Sequence, residues 1–200
     1  WHQLMARKGF VVVSVDNRGT GGRGRDFYKQ TYLRLGQLET ADQLAAARQV
    51  GDEPWADASR MGIWGWSYGG YLTLLSTLAG DGLLAAGASV APVTHWKLYD
   101  TIYTERYMRT PAENPEGYRK GAPLNYASRL DAELLIVHGT GDDNVHPQNT
   151  ALMVQALEQA GEQFRMRLYP NKTHAIRGPG SQVNLFGLLT GFFVEELGAE

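Results

Sequence analysis

The stretch Gly65-Trp66-Ser67-Tyr68-Gly69 decides how the rest of the sequence is interpreted. The apolar residues 61–64 come directly before it, and residues 71–78 after it are apolar enough for a buried helix. A short apolar run, two glycines around a serine and a longer apolar run together predict a strand, a sharp turn and a helix. The serine lies at the turn, between the strand and the helix.

The G-x-S-x-G pattern in this context is typical of the nucleophile elbow, the turn that presents the reactive serine in α/β-hydrolases. A serine hydroxyl is a weak nucleophile until a base removes its proton, so it must stand where a base can reach it. We expect Gly65 and Gly69 to be glycine because side chains there would collide with the neighbouring strand or helix. The main-chain N–H of Tyr68 would begin the helix and serve as an oxyanion donor.

The composition is that of a folded domain. The 200 residues are 43% hydrophobic and 20% charged, which suits one core and is unlike a disordered chain. The formal net charge of −2 predicts neither nucleic acid nor a membrane surface as a partner. No apolar run reaches membrane-spanning length and residues 1–7 do not resemble a signal peptide, so cytoplasmic and periplasmic locations stay open. The lack of cysteine excludes disulfides and thiolate metal sites.

Strand and helix patterns alternate along the chain. Residues 1–8 are predicted as a helix ended by Gly9, and the β-branched run 10–15 as a strand buried on both faces. A capping box at residues 40–43 predicts a helix over 41–50. Further predicted elements are strands over 87–91, 134–138 and 164–169, the last near the sheet edge, and helices ending at Gly80, at Gly161 and at residue 197. This alternation predicts a mostly parallel sheet flanked by helices.

Residues 93–130 depart from this alternation, because they are rich in aromatic residues and contain prolines at 111, 115 and 123. The pattern predicts an excursion of short helices that packs on the sheet. It also allows an aromatic wall over the site, and the two interpretations are compatible.

A glycine-rich loop after the first predicted strand supports a different class of function. Gly19, Gly21 and Gly24 form a literal G-x-G-x-x-G, and Glu39 follows the first of them by about 20 residues, as in dinucleotide-binding domains. That fingerprint should open an apolar helix, yet residues 25–30 are polar. Its acidic residue should end a second strand, yet Glu39 precedes a predicted helix. A glycine-rich loop at the edge of a cleft therefore fits better.

The remaining parts of a serine hydrolase site follow in the expected order of serine, acid and histidine. Asp142 and Asp143 both lie at the carboxyl end of a predicted strand, and the residues alone do not separate them. His174 lies after the next strand on its own loop, as the order requires, whereas His138 closes a strand and is expected to be buried and satisfied. No cluster of metal ligands or H-E-x-x-H motif is present, so neither a metal nor a cofactor is expected.

Longer motifs resemble the catalytic domain of the prolyl oligopeptidase family of serine peptidases over essentially the whole chain. The motifs are GWSYGGY at 65–71, YTERYM at 103–108 and HGTGDDNVH at 138–146, and the segments 17–21 and 91–96 fit the same pattern. The resemblance implies an α/β-hydrolase fold and a catalytic triad of Ser67, Asp142 and His174. It thereby selects Asp142 over Asp143.

The resemblance also implies a substrate and its binding residues. A pocket for proline would consist of Tyr68, Val93, Trp96, Tyr99, Tyr103 and Val145, and Asn144 would bind the substrate carbonyl before the proline. A flat apolar ring suits an aromatic slot. The implied activity is release of Xaa-Pro or Xaa-Ala dipeptides from peptide N-termini. The alternatives with the same fold are an acylaminoacyl-peptidase and a carboxylesterase.

The sequence departs from that family in two ways. Ala175 follows the triad histidine where relatives usually have glycine, and residues 171–173 also differ. The β-propeller of the relatives, an upstream oxyanion tyrosine and the first strands of the sheet lie outside residues 1–200. We therefore expect residues 1–200 to be a fragment that is weak or inactive alone. We expect the whole protein to form a homodimer. Strand 10–15 would lack neighbours, which invites pairing with another chain or docking beside strand 61–66.

Overall fold

Four parallel strands form the sheet of the chain, which a computed structural model describes over residues 1–198. The strands are β1 (Gly62–Trp66), β2 (Ala86–Val90), β3 (Glu133–Gly139) and β4 (Arg165–Tyr169). They lie side by side in the order β1-β2-β3-β4, and each neighbouring pair is parallel. Four of the predicted strands are confirmed with shifts of about one residue, as is the position of the last at the sheet edge.

Helices connect these strands and cover both faces of the sheet. The α-helices of the described chain are α1 (His2–Arg7), α2 (Arg25–Tyr28), α3 (Gln37–Gly51), α4 (Tyr68–Ala79), α5 (Thr101–Met108), α6 (Pro115–Lys120), α7 (Gln148–Ala160) and α8 (Ser181–Leu197). Short 3-10 helices at Trp96–Leu98 and Pro123–Arg129 join α5 and α6 in the predicted aromatic excursion. No helix within residues 1–198 combines the length and the apolar composition needed to cross a membrane.

The two faces of β3 show why its sequence is continuously apolar. Leu135 and Val137 pack in one cluster with Leu185 and Leu189 of α8. Leu134 and Ile136 point the other way and pack against side chains of α4 and α7, namely Leu74, Leu78, Met153 and Leu157. Burial of each such side chain contributes about 1.5–3 kcal/mol. Successive side chains of a strand point to opposite faces, and helices cover both faces of β3. This is the burial that its continuously apolar sequence predicted.

The strand predicted over residues 10–15 is wrong. The segment pairs with no strand among the described residues, and Val11 and Val13 are 62% and 51% exposed. It does not pair with β1, and residues of both segments line one cleft of about 550 Å³. Within residues 1–198, β1 pairs with β2 alone. The apolar sequence predicts a buried strand, but a strand is buried only where another element covers it. No strand within residues 1–198 pairs with this segment.

The capping box predicted at residues 40–43 is also wrong. Helix α3 begins earlier, after Gly36 at φ +84°, and Thr40 lies buried inside its first turns. The polar residues of the supposed box hold the preceding loop instead. Asp42 forms an ion pair with Arg18 at 2.6 Å, and Gln43 donates a hydrogen bond to the carbonyl of Val15.

Candidate active site

Ser67 occupies the sharp turn between β1 and α4. Its backbone has φ 60° and ψ −116°, a conformation that side chains rarely adopt, and its N–H donates to the carbonyl of Val90 at 2.8 Å. Such backbone strain costs about 1–3 kcal/mol and persists where the surroundings impose it. The next N–H, of Tyr68, is the first of the helix and so has no intrahelical acceptor. The strand, turn and helix predicted around Ser67 are therefore present.

Two glycines make this turn possible, but only one of them was predicted correctly. A Cβ on Gly65 would come within 2.3 Å of the main chain of Gly69, and one on Gly70 within 2.6 Å of the Val90 carbonyl oxygen. A Cβ on Gly69 would meet no atom within 4 Å, so the expected collision at that position is wrong. The tight contact is between strand and helix backbones at Gly65 and Gly70.

This contrast gives a matched pair of variants. Gly65→Ala should lower the free energy of unfolding by at least about 2 kcal/mol, since the new methyl group overlaps backbone that cannot move aside. Gly69→Ala should change it by less than about 1 kcal/mol, because the methyl group enters open space and alanine favours a helix. Urea unfolding followed by circular dichroism measures both values. Equal losses in the two variants would contradict this account of the turn.

Asp142 lies directly after β3 with its carboxylate fully engaged. Oδ1 accepts the N–H groups of Asn144 and Val145, each at 3.0 Å, and Oδ2 accepts Nδ1–H of His174 at 2.8 Å. The residue is only 2% exposed, whereas Asp143 is exposed. The carboxylate thus both braces its own loop and orients the histidine.

His138 makes a further contact with Asp142 that the sequence analysis missed. His138 is buried, as the sequence predicted, with Nδ1 2.7 Å from the Thr150 hydroxyl. Its Nε2 lies 2.8 Å from the Val145 carbonyl oxygen and 3.1 Å from Oδ2 of Asp142. Burial lowers the pKa of His138, and its contacts with Val145 and Asp142 partly oppose that shift. A neutral ring that donates from Nε2 and accepts the Thr150 hydroxyl at Nδ1 satisfies these contacts.

The loop that carries His174 is fastened to the elbow. The indole N–H of Trp66, the residue before the serine, donates to the carbonyl of His174 at 2.9 Å. The N–H of Gly141 donates to the carbonyl of Lys172 at 3.0 Å. The positive φ angles of non-glycine residues in this loop fall on Asn171 (+57°) and Ile176 (+46°) and not on Ala175, so alanine fits where relatives usually have glycine. The Ser67 hydroxyl itself makes no hydrogen bond within residues 1–198, and the His174 side chain is 23% exposed.

The predicted pocket residues lie in one aromatic cluster next to the elbow. Val93, Trp96 and Val145 form its buried part, and Tyr68, Tyr99 and Tyr103 pack against them. The ring of Trp96 is stacked on that of Tyr103 at 5.9 Å and lies 5.7 Å from that of Tyr68. Offset and edge-on ring pairs of this kind are attractive and keep the walls rigid.

Asn144 is the polar member of this group. Its Oδ1 accepts the hydroxyl of Tyr99 at 2.8 Å, and its N–H is held by Asp142. The acid loop and the aromatic cluster are therefore joined by Asn144, which leaves the amide nitrogen of its side chain as a donor.

The glycine-rich loop does not have the structure of a dinucleotide fingerprint. The helix after Gly24, α2, has four residues, and the segment before the loop is not a paired strand. Glu39 lies in the first turn of α3 and not at the end of a strand. No group of three or more His, Cys, Asp or Glu side chains within residues 1–198 is arranged to hold a metal ion.

Comparison with known proteins identifies relatives of this chain. Among curated relatives, the "Probable dipeptidyl peptidase 4" of Neosartorya fischeri is 44% identical over 192 residues, which is 94% of this chain and 25% of the relative. The "Probable dipeptidyl-aminopeptidase B" of Neurospora crassa is 42% identical, with 98% of this chain and 22% of the relative covered. The chain thus spans about a quarter of the length of these relatives.

A solved structure gives the same answer for the fold. The crystal structure of Porphyromonas gingivalis dipeptidyl peptidase 4 superposes with a TM-score of 0.97 at 49% identity and covers 98% of this chain and 28% of that one. The fold is therefore that of an α/β-hydrolase catalytic domain, as predicted. The model of the prolyl oligopeptidase family matches residues 2–200. The chain belongs to the prolyl oligopeptidase family.

Proposed function

We propose that the chain is the catalytic part of a serine peptidase in which Ser67, His174 and Asp142 act as a triad. The observation that carries the proposal is the 2.8 Å hydrogen bond between Nδ1 of His174 and Oδ2 of Asp142, on a loop that Trp66 ties to the serine turn. This bond fixes the tautomer, because a proton on Nδ1 leaves Nε2 free to accept one.

The chemistry then follows from the positions of these groups. Nε2 of His174 takes the proton of Ser67 as the hydroxyl oxygen attacks the substrate carbonyl, and Asp142 stabilises the imidazolium that forms. The main-chain N–H of Tyr68, at a helix N-terminus, donates to the oxyanion. His174 gives its proton to the leaving amine, and water releases the acyl group from Ser67 by the same steps in reverse.

For the substrate, we propose peptides with proline or alanine as the second residue, released as Xaa-Pro or Xaa-Ala dipeptides. The supporting observation is the aromatic cluster beside Ser67, with walls from Trp96, Tyr99 and Tyr103 that match the flat ring of proline. We further propose that Asn144 donates its side-chain amide to the carbonyl before the proline. The names of the relatives fit this assignment. A homodimer stays a prediction.

Covalent labelling tests the proposed triad. We expect a fluorophosphonate probe to form one adduct, at the tryptic peptide that contains Ser67, and Ser67→Ala to lose it while keeping the circular dichroism spectrum. Labelling needs only the triad and the oxyanion donor, so it reports on the site even where dipeptide release is slow. An unlabelled chain, or an adduct elsewhere, would refute the triad.

A second assay separates the peptidase from the esterase alternative. Hydrolysis of a Gly-Pro anilide and of short acyl esters should be compared on the same preparation. We expect a preference for the proline substrate, because the aromatic slot binds its ring and a simple acyl chain leaves the slot unfilled. A preference for the esters would favour the carboxylesterase.

A further inference from the structure

Glu39 is a buried acid that the proposed reaction does not use. It is 2% exposed, and its Oε1 accepts the hydroxyl of Tyr68 at 2.6 Å. Its Oε2 has no hydrogen-bond partner within residues 1–198. Removing a carboxylate from water is costly unless it is paired, and the short hydrogen bond from Tyr68 offsets part of that cost.

The surroundings of Glu39 have opposite effects on its pKa. Burial raises its pKa, while the Tyr68 hydrogen bond and the nearby N–H groups of Gly36 and Glu39 itself lower it. Glu39 lies in the first turn of α3, where the helix dipole favours negative charge. The geometric consequence is that a buried carboxylate holds the Tyr68 hydroxyl through a 2.6 Å hydrogen bond.

The Tyr68 side chain borders two spaces. It packs edge-on against Tyr71 at 5.3 Å and is tilted against Trp96 at 5.7 Å, in the cluster that lines the proposed proline pocket. It also lines a cavity of about 260 Å³, together with Glu39, Tyr103, Tyr107 and others. This volume exceeds what a phenol ring needs, so space is available behind the ring.

We propose that Glu39 is a positioning residue that sets which side chains the pocket accepts, by holding the Tyr68 ring as the partition between pocket and cavity. The inference rests on the proposed function, since it concerns the pocket that holds the substrate residue next to the scissile bond. Without the hydrogen bond, the phenol can turn into the cavity about χ1. The pocket then widens, and residues larger than proline fit beside Ser67.

Substitutions of Glu39 and Tyr68 test this proposal. Glu39→Gln keeps an acceptor for the Tyr68 hydroxyl and should retain the selectivity of the wild type. Glu39→Ala removes the acceptor and adds to the cavity. Tyr68→Phe keeps the ring without the hydroxyl, and it replaces Glu39→Ala if that variant does not fold. Asp42→Asn removes a different carboxylate from the same helix and serves as the matched control.

The readout is the ratio of labelling rates at Ser67 for aryl phosphonates that carry a proline or a phenylalanine side chain. We expect the proline-to-phenylalanine ratio to fall about tenfold or more in Glu39→Ala and Tyr68→Phe, and to stay near wild type in Glu39→Gln and Asp42→Asn. Labelling by a small fluorophosphonate without such a side chain should be nearly equal in the wild type, Glu39→Gln, Glu39→Ala and Asp42→Asn. An unchanged ratio in Glu39→Ala and Tyr68→Phe would overturn the proposal.

A second measurement separates failure of this inference from failure of the proposed function. The chain is labelled with 3-fluorotyrosine, and the ¹⁹F resonance of Tyr68 is assigned from its loss in Tyr68→Phe. We expect this resonance to shift in Glu39→Ala and to return near its original position in Glu39→Gln. If the wild type is not labelled by any phosphonate, the peptidase assignment fails. If the resonance does not move, Glu39 does not hold the ring.

Discussion

Replacing Asp142 by asparagine is expected to slow labelling of Ser67 by about 10³–10⁴-fold. The asparagine carbonyl can still accept the N–H groups of Asn144 and Val145, so the loop keeps its shape. Its amide group, however, replaces the oxygen that accepts Nδ1–H of His174 at 2.8 Å. The imidazole then takes the other tautomer, with its proton on Nε2, and cannot accept the serine proton.

Asp143→Asn is the matched control for this prediction. Asp143 is adjacent in sequence and exposed, while Asp142 is 2% exposed and makes all of the contacts described above. The labelling rate of Asp143→Asn should stay close to that of the wild type. Comparable losses in the two variants, or a larger loss at Asp143, would show that the acid of the triad has been misassigned.

The stability of the chain should fall as the pH drops below about 6.5, because His138 is buried. Burial lowers the pKa of His138 in the folded chain, so the unfolded chain binds the proton first as the pH decreases. The contribution of His138 is therefore complete above its unfolded pKa and is lost on the way down to its folded pKa. The slope is at most about 1.4 kcal/mol per pH unit.

His138→Gln removes this titration and should flatten the pH dependence of the free energy of unfolding over that range. The variant should also be about 1–3 kcal/mol less stable at pH 8, since the Val145 carbonyl and the Thr150 hydroxyl lose a fitted partner. His146, which is exposed, provides the control His146→Gln, for which we expect the wild-type slope. Urea unfolding between pH 5 and pH 8 measures all three, and an unchanged slope in His138→Gln would refute this role.

Sequence patterns predicted the parts of the fold that depend on residues close to one another in the chain. The elbow at Ser67 was predictable because its glycines, its apolar flanks and its helix occur within a few residues of one another. Strand β3 was predictable because a parallel strand covered on both faces is apolar throughout. The loop at 142–145 was predictable in outline, since polar residues after a strand lie at the edge where sites form.

Most of the errors and omissions have a different physical origin, because they concern a neighbour that is remote in sequence. The run 10–15 predicts burial without specifying what covers it. Gly69 and Gly70 look alike in sequence, and only the approach of β2 makes Gly70 the crowded one. The contact of Glu39 with Tyr68 was not predicted, since the two residues lie 29 positions apart. His138 and Asp142 are four residues apart, a spacing that gave no signal until the turn between them was known.

A crystal structure of the phosphonylated chain would test the central claim most directly. The account predicts phosphorus bonded to Oγ of Ser67, a phosphoryl oxygen about 2.7–3.1 Å from the main-chain nitrogen of Tyr68, and Nε2 of His174 within hydrogen-bond distance of the adduct. The Nδ1 contact of His174 with Asp142 should be retained. An adduct on another residue, or an imidazole of His174 turned away from Ser67, would contradict it.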